Sequence, residues 1–233
     1  MTVSAVVYRP ETIEEYDDVA AAKSAQGTTW VRAFDSSRAE LTEIAEVFGI
    51  HPLVVEDVDN GVRPKAEAFP DYTFILIKTA ELARGETTFE EEIRTESIGV
   101  AIGADWVVTM ATGADGPVDR IWSAVLKGDE RMLQRGPDFT AYRVIDVVID
   151  EYFVLLDRIE DQIETVEEQV LVSTDIETVE AINTVRRDLL SFRRIAWPSR
   201  EAIGTLARGD SDDIQAQTEK YYRDVYDHLV QVV

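Results

Sequence analysis

Residues 138–172 read DFTAYRVIDVVIDEYFVLLDRIEDQIETVEEQVLV and decide the fold, because they predict one very long helix. The stretch contains neither glycine nor proline, the two residues that disfavour a helix interior most. Its apolar and aromatic residues recur at steps of three and four, which places them on one helical face. They are Ile145, Val148, Tyr152, Leu155, Ile159, Ile163, Val166 and Val170. A helix of this length would extend about 52 Å at ~1.5 Å per residue.

Two more helices are predicted beyond this stretch. Residues 174–177 read TDIE, a capping box that predicts the start of the second helix. Its apolar seam consists of Ile182, Val185, Leu189 and Phe192. Pro198 should kink or end that helix, because proline lacks the backbone N–H and clashes with the preceding turn. After a turn at residues 209–211, the third helix is expected to run from near Asp213 to Val233.

The residues before position 137 alternate between strand and helix patterns. Strands are predicted from β-branched and aromatic residues at 4–9, 30–34, 72–79, 93–103 and 105–111. A capping box at Ser37 and Glu40 opens a short helix that ends at Gly49, and Pro52 begins another that ends at Gly61. Residues 117–133 predict one further helix. The four tryptophans lie on apolar faces and are predicted to be core residues: Trp30, Trp106, Trp122 and Trp197.

Composition restricts the function. The chain of 233 residues has 46 acidic and 23 basic residues, a formal net charge of −23, which repels nucleic acid and anionic membranes and attracts cations. A halophilic, solvated acidic surface is the alternative explanation of this charge. There is no cysteine, so thiolate catalysis and cysteine metal sites are excluded. Glu56 and Asp57 could be a carboxylate pair for hydrolysis, but phosphate-loop and nucleophile-elbow motifs are absent, and no enzyme is predicted.

Five ordered motifs resemble one known family. They are HPLVVED at 51–57, RPKAE at 63–67, DEYFVLL at 150–156, IAWP at 195–198 and YYRDVYDH at 221–228. Their order and spacing are similar to those of the CorA family of divalent-cation channels, over roughly residues 45–233. The resemblance implies that the chain is the cytoplasmic, cation-sensing and gating domain of a CorA-type magnesium channel. The family's glycine-methionine-asparagine pore signature does not occur in this sequence.

The resemblance also implies an architecture. It is α+β: an α/β/α sandwich with a mixed sheet, followed by long helices that form a hairpin and by the start of a stalk helix. The expected units are an α/β regulatory domain at 1–136, an antiparallel helical pair at 137–209 and the stalk helix at 210–233. In a full-length protein the stalk helix would continue into the membrane, so we expect a soluble piece that ends before the membrane segment.

Metal sites follow from the same resemblance. Asp57 of one subunit is expected to face Asp224 of its neighbour and to share a cation with it. Glu56, Asp146, Asp224 and His228 match positions near a second, weaker site. Plain solvated surface is the alternative for the carboxylates, and a packing or hydrogen-bonding role is the alternative for His228. The first long helix is also acidic and could collect cations from the cytosol; a salt-tolerant solvated face is the alternative. The acids concerned are Glu160, Asp161, Glu164, Glu167 and Glu168.

The expected ion is Mg²⁺, which prefers oxygen ligands and keeps several waters. Co²⁺, Ni²⁺, Zn²⁺ or Ca²⁺ at the same sites are alternatives, although two histidines and no cysteine are a poor supply for zinc. The expected partner is a second copy of the chain, because the full-length family is pentameric; the piece itself could be a monomer or a dimer. Binding to nucleic acid is not expected. Contact with the membrane is expected only through a C-terminal segment that is missing from this sequence. A scaffold domain without functional metal sites is the remaining alternative.

Overall fold

The computed structural model describes residues 3–84, 91–114, 116–172, 176–209 and 211–232. A seven-stranded mixed sheet has the strand order β2-β1-β3-β9-β8-β5-β4, and β6 and β7 form a separate hairpin. The strands are β1 Val3–Arg9, β2 Thr12–Tyr16, β3 Thr28–Ala33, β4 Lys65–Ala68, β5 Thr73–Lys78, β6 Glu81–Arg84, β7 Glu91–Arg94, β8 Ser97–Ile102 and β9 Trp106–Met110. The β3–β9 pair is parallel and the other pairs are antiparallel.

Helices cover both faces of the large sheet. They are α1 Val19–Ser24, α2 Arg38–Phe48, α3 Pro52–Asn60, α4 Val118–Leu126, α5 Glu130–Leu133, α6 Pro137–Val172, α7 Ile176–Ala207 and α8 Ala216–Val232. The first three helices share a core with one face, and α4 to α8 share a core with the other. This arrangement confirms the predicted α/β/α sandwich with a mixed sheet and long helices.

The two cores follow from alternation along the strands. In β1, Val6 and Tyr8 face the core with α4 to α8, whereas Ala5 and Val7 face the core with α1 to α3. Successive side chains of a strand point to opposite faces, so a strand that is apolar at every position is buried on both sides. The larger core runs without interruption from the sheet to Leu229 of α8, and it therefore crosses the predicted boundary after residue 136.

The long helices lie on one another as well as on the sheet. The inward face of α6 is buried as far as Ile159; beyond it Ile163 and Val166 are partly buried against the core, and Val170 is exposed. On α7, Val185 and Phe192 are buried as predicted, but Ile182 and Leu189 are exposed, so only half of the predicted seam is correct. Among the described residues, none of the helices combines the length and the apolar composition that a membrane crossing requires.

Helix boundaries differ from the sequence prediction at two places. The helix predicted at 117–133 is divided into α4 and α5, because Gly128 between them adopts a left-handed conformation with φ of 80°. In contrast, Pro198 does not end α7, which continues to Ala207. The loss of one backbone hydrogen bond there is offset by packing, since Pro198 and Ser199 are buried, as are Ala202 and Ile203 one turn further on. The capping box predicted at 174–177 lies partly outside the described residues.

Strand prediction failed mainly at the edges of the sheet. The strand predicted at 93–103 is two strands, β7 and β8, which belong to different sheets. The edge strands β2 and β4 were not predicted, because their sequences TIEEY and KAEA are polar and largely exposed. Trp197 was predicted as core but is 42% exposed, and the guanidinium carbons of Arg193 and Arg200 lie 5.3 Å and 5.0 Å from its ring centre.

Candidate metal centre

Three potential ligands converge where α6 and α8 pack together. Asp146 and Asp150 lie one turn apart on α6, and His228 projects from α8. One ligand atom from each residue lies within 4.8 Å of the other two. The register of α8 sets the position of His228, because Val225 and Leu229 are fully buried and His228 lies beside them at the edge of the buried face.

The environment of Asp146 disfavours an isolated charge. The side chain is only 13% exposed, and Arg143 Nη1 donates a hydrogen bond of 3.0 Å to Asp146 Oδ2. Burial raises the pKa of Asp146, and the nearby charge of Asp150 raises it further, while Arg143 acts in the opposite direction. The carboxylate is therefore held in a place where a further positive charge would stabilise its ionised form.

His228 has an open ring nitrogen. Its Nδ1 is buried without a hydrogen-bond partner in the part of the chain described. Its Nε2 lies 4.0 Å from Asp224 Oδ2, and its ring packs edge-on against Phe153 with 5.8 Å between ring centres. A buried imidazole nitrogen without a partner is costly, and a bound cation, a water or a proton donor would remove that cost.

This arrangement has the chemistry of a small cation site. Two carboxylates and one imidazole supply three protein ligands, and water would complete the coordination of a hard divalent ion. Asp150 is exposed, so the cluster is open to solvent on one side. The oxygen atoms suit Mg²⁺, and the imidazole nitrogen also suits Co²⁺, Ni²⁺ and Zn²⁺.

The predicted site residues are only partly brought together within one chain. Asp146 and His228 lie in the cluster, and Asp224 lies one helical turn from His228 on an exposed position. Glu56 and Asp57 lie on α3 and do not belong to the three-residue cluster. The contact of Asp57 with Asp224 of a neighbouring subunit stays a prediction.

Asp57 already has a cationic partner. Its Oδ2 lies 2.7 Å from Lys65 Nζ, which also lies 2.9 Å from Glu67 Oε1. Burial acts to lower the pKa of Lys65, but its hydrogen bonds with the two carboxylates outweigh that effect and the pKa is raised. A divalent ion that binds Asp57 must therefore displace an ammonium group or share the carboxylate with it.

The other predicted acids lie apart from the cluster, and one candidate ligand was missed. The five acids of the predicted cation-collecting helix are all exposed on the distal half of α6: Glu160, Asp161, Glu164, Glu167 and Glu168. Asp150 was not among the predicted ligands, although its spacing of four residues from Asp146 places both carboxylates on the same helical face. That spacing was the sequence signal that could have identified it.

The raised pKa of Asp146 predicts a pH dependence of stability. In the absence of metal, the contribution of this carboxyl to stability should be largest below its ordinary pKa of 3.8 and should fall as pH rises through the higher folded-state value. Asp146→Asn does not ionise, so the variant should gain stability relative to wild type across this window. Arg143 faces a neutral amide instead of a carboxylate in the variant, but it is 39% exposed and the loss of that ion pair is small.

Thermal melts of both proteins in metal-free buffer between pH 3.5 and 7 would test this prediction. The difference in Tm between Asp146→Asn and wild type should become more positive as pH rises. A difference that stays constant, or that becomes more negative, would contradict it.

Comparison with known proteins identifies close similarity to one family. The sequence profile of the family described as "CorA-like Mg2+ transporter protein" matches residues 25–233. A protein of Thermotoga maritima named cobalt/magnesium transport protein CorA is 30% identical over 234 aligned residues, which cover 100% of this chain and 66% of the relative. The chain thus spans about two thirds of the length of that relative.

Solved structures show the same fold. The soluble domain of CorA from Methanocaldococcus jannaschii superposes with a TM-score of 0.79 and 21% identity, covering 99% of this chain and 88% of the other. The complete structure of the CorA magnesium transporter from the same organism gives a TM-score of 0.79 with 20% identity, covering 100% of this chain and 71% of the other. At these identities the likeness concerns the fold.

Proposed function

Because this chain belongs to the CorA-like Mg²⁺ transporter family, we propose that it is a divalent-cation-sensing and gating part of such a transporter. Members of the family are transporters or channels, which confirms the prediction that the chain is not an enzyme. The proposed sensor is the cluster of Asp146, Asp150 and His228.

The cluster supports this proposal because, without a bound cation, the arrangement of its three side chains is energetically unfavourable. Two carboxylates one turn apart repel each other, one of them is half-buried, and the nearby imidazole nitrogen has no partner in the described chain. A divalent ion between the two carboxylates would offset their repulsion and the cost of burying Asp146, and coordination by the unpartnered nitrogen would offset the third cost. Since the ligands come from both α6 and α8, the ion would also bridge the two helices and stabilise their contact.

We propose Mg²⁺ as the principal ion. The relative from Thermotoga maritima is named a cobalt/magnesium transport protein, and carboxylates with water suit Mg²⁺. The imidazole of His228 supports the alternative of a transporter for Co²⁺, Ni²⁺ or Zn²⁺. The proposal places this part of the transporter on the cytoplasmic side, where the acidic surface of α6 would concentrate cations.

Thermal melts with different salts would test the sensor directly. Wild-type protein should show a saturable rise in Tm with MgCl₂, and a comparison with CoCl₂ and CaCl₂ would rank the ions. NaCl at matched ionic strength is the control, because a protein of charge −23 gains stability from general screening. An equal rise with NaCl would support a scaffold domain without a functional metal site.

A second part of the proposal concerns neighbouring subunits. Asp57 of one copy and Asp224 of the next would share a cation, which would stabilise a homo-oligomer and keep the channel closed. Without the cation, two carboxylates about 4 Å apart repel by roughly 4 kcal/mol at an effective dielectric constant of ~20. Several such contacts in a ring would bias the assembly between two states.

Sedimentation velocity tests this part separately. MgCl₂ should increase the association of wild-type protein, and Asp57→Ala should reduce that increase. Lys65→Gln is a matched variant, because it removes the ammonium that lies 2.7 Å from Asp57 and should lower the MgCl₂ concentration needed for association. If MgCl₂ leaves the association of all three proteins unchanged, the shared site does not exist.

A further inference from the structure

A second candidate site lies where α5, α6 and α8 meet. A cavity of about 300 Å³ there combines three arginines with three aromatic rings. Its relevant lining residues are Arg131, Arg135, Arg143, Phe139, Tyr142 and Tyr221. None of them was predicted as a site residue, and the metal cluster does not include them.

Two of the three arginines in the cavity are not neutralised by an ion pair within the described chain. Acidic residues outnumber basic ones by 46 to 23, so a basic side chain has many possible partners. In the part of the chain described, however, neither Arg131 nor Arg135 forms an ion pair. The acid on the cavity wall, Asp129, accepts a hydrogen bond from the backbone N–H of Arg131 as the cap of α5.

Aromatic rings hold one guanidinium group in place. The central carbon of Arg135 lies 4.5 Å from the ring centre of Phe139 and 5.2 Å from that of Tyr221. The two rings pack edge to face with 5.4 Å between centres. Stacking uses the flat face of a guanidinium and leaves the N–H donors in its plane available. A group fixed in this way loses little conformational entropy when it binds an anion.

We propose that this cavity binds the phosphoryl group of a soluble small molecule. Guanidinium groups bind phosphate oxygens with paired, charge-assisted hydrogen bonds, and several of them around one cavity match a doubly charged phosphate better than a single carboxylate. The volume of about 300 Å³ accommodates a phosphoryl group and part of the molecule that bears it.

Calorimetric titration would test binding in metal-free buffer. The probes are sodium phosphate and adenosine monophosphate, and adenosine is the control without a phosphoryl group. Wild-type protein should bind both phosphate probes, whereas Arg131→Gln and Arg135→Gln should each weaken binding about tenfold. Arg194→Gln, an equal change of charge on the exposed surface of α7, should bind as wild type does.

Three results would overturn the proposal. They are the lack of saturable binding of either phosphate probe, equal affinity of wild type and both cavity variants, and equal affinity for adenosine and adenosine monophosphate. Arg131 is exposed and makes no ring contact in the described chain, so Arg131→Gln should fold normally even if Arg135→Gln does not. Sedimentation in the same buffers would show whether a second copy of the chain fills the cavity instead, which would also overturn the proposal.

Binding in this cavity should also influence the metal cluster, a consequence that rests on the proposed function. Arg143 lines the cavity and donates to Asp146, so a bound phosphoryl group would compete for this guanidinium and add negative charge beside Asp146. Both effects strengthen cation binding. The midpoint of the MgCl₂ stability titration should therefore fall when adenosine monophosphate is present. An unchanged midpoint, with metal-free binding intact, would disprove the coupling but not the phosphoryl site.

Discussion

Tyr222→Ala should lower the free energy of unfolding by about 3–5 kcal/mol, the loss typical of a large aromatic side chain in a core. Tyr222 is fully buried between α8 and α6, its hydroxyl donates a hydrogen bond of 3.0 Å to the backbone oxygen of Asp138, and its ring lies edge-on to Tyr142. Denaturation in urea, followed by circular dichroism, would measure the change.

Two control variants separate the causes of this loss. Tyr222→Phe keeps the ring and removes only the hydrogen bond, so it should cost about 1 kcal/mol. Val230→Ala changes a position of α8 that is 49% exposed and should have an effect within about 0.5 kcal/mol. If Tyr222→Ala were no more destabilising than Val230→Ala, α8 would not be docked as the structure describes. Because α8 also carries His228, Tyr222→Ala should weaken the response to divalent ions as well.

The double variant Asp146→Asn/Asp150→Asn should abolish the stabilisation by divalent ions. At a free ion concentration one hundred times its Kd, binding to the folded state alone contributes about 2.7 kcal/mol, and the variant should lose this contribution. Without metal the variant should be at least as stable as wild type, because two neighbouring negative charges, one of them half-buried, are removed. Melts with and without MgCl₂ would measure both quantities.

The chain offers a matched control on the same helix. Asp157→Asn/Asp161→Asn makes the same change of charge with the same spacing, but at exposed positions outside the cluster. This variant should keep the full response to MgCl₂. If both double variants lose the response equally, general neutralisation of the acidic surface, rather than the cluster, stabilises the protein.

Much of the fold was predictable because its patterns are local. The apolar period of α6, the capping box at Ser37 and the left-handed glycine that ends α2 depend on residues within a few positions of one another. The predicted capping box is present, with Ser37 and Glu40 each bonded to the other's backbone N–H. The ordered motifs further identified the family, which the profile match to residues 25–233 supports independently.

Other features of the fold depend on contacts between residues that are distant in sequence, which the local sequence pattern does not reveal. The passage of α7 through Pro198 and the exposure of Trp197 follow from what packs beside them, and the polar edge strands β2 and β4 are held by pairing with a neighbour. The lack of a local apolar signal explains why these strands were missed.

The features of the candidate site likewise fall into those that the sequence reveals and those that depend on tertiary packing. The sequence by itself determined that the chain is acidic, lacks cysteine and places Asp146 and Asp150 on one face of a long helix. The family resemblance had placed Asp146 and His228 near one site, but only the tertiary structure decided that Asp150 joins them and that Asp57 is paired with Lys65. The reason is physical: the spacing of side chains along one helix is set by the backbone, whereas the meeting of α6 and α8 is set by burial of Tyr222, Val225 and Leu229 in a core shared by distant parts of the chain.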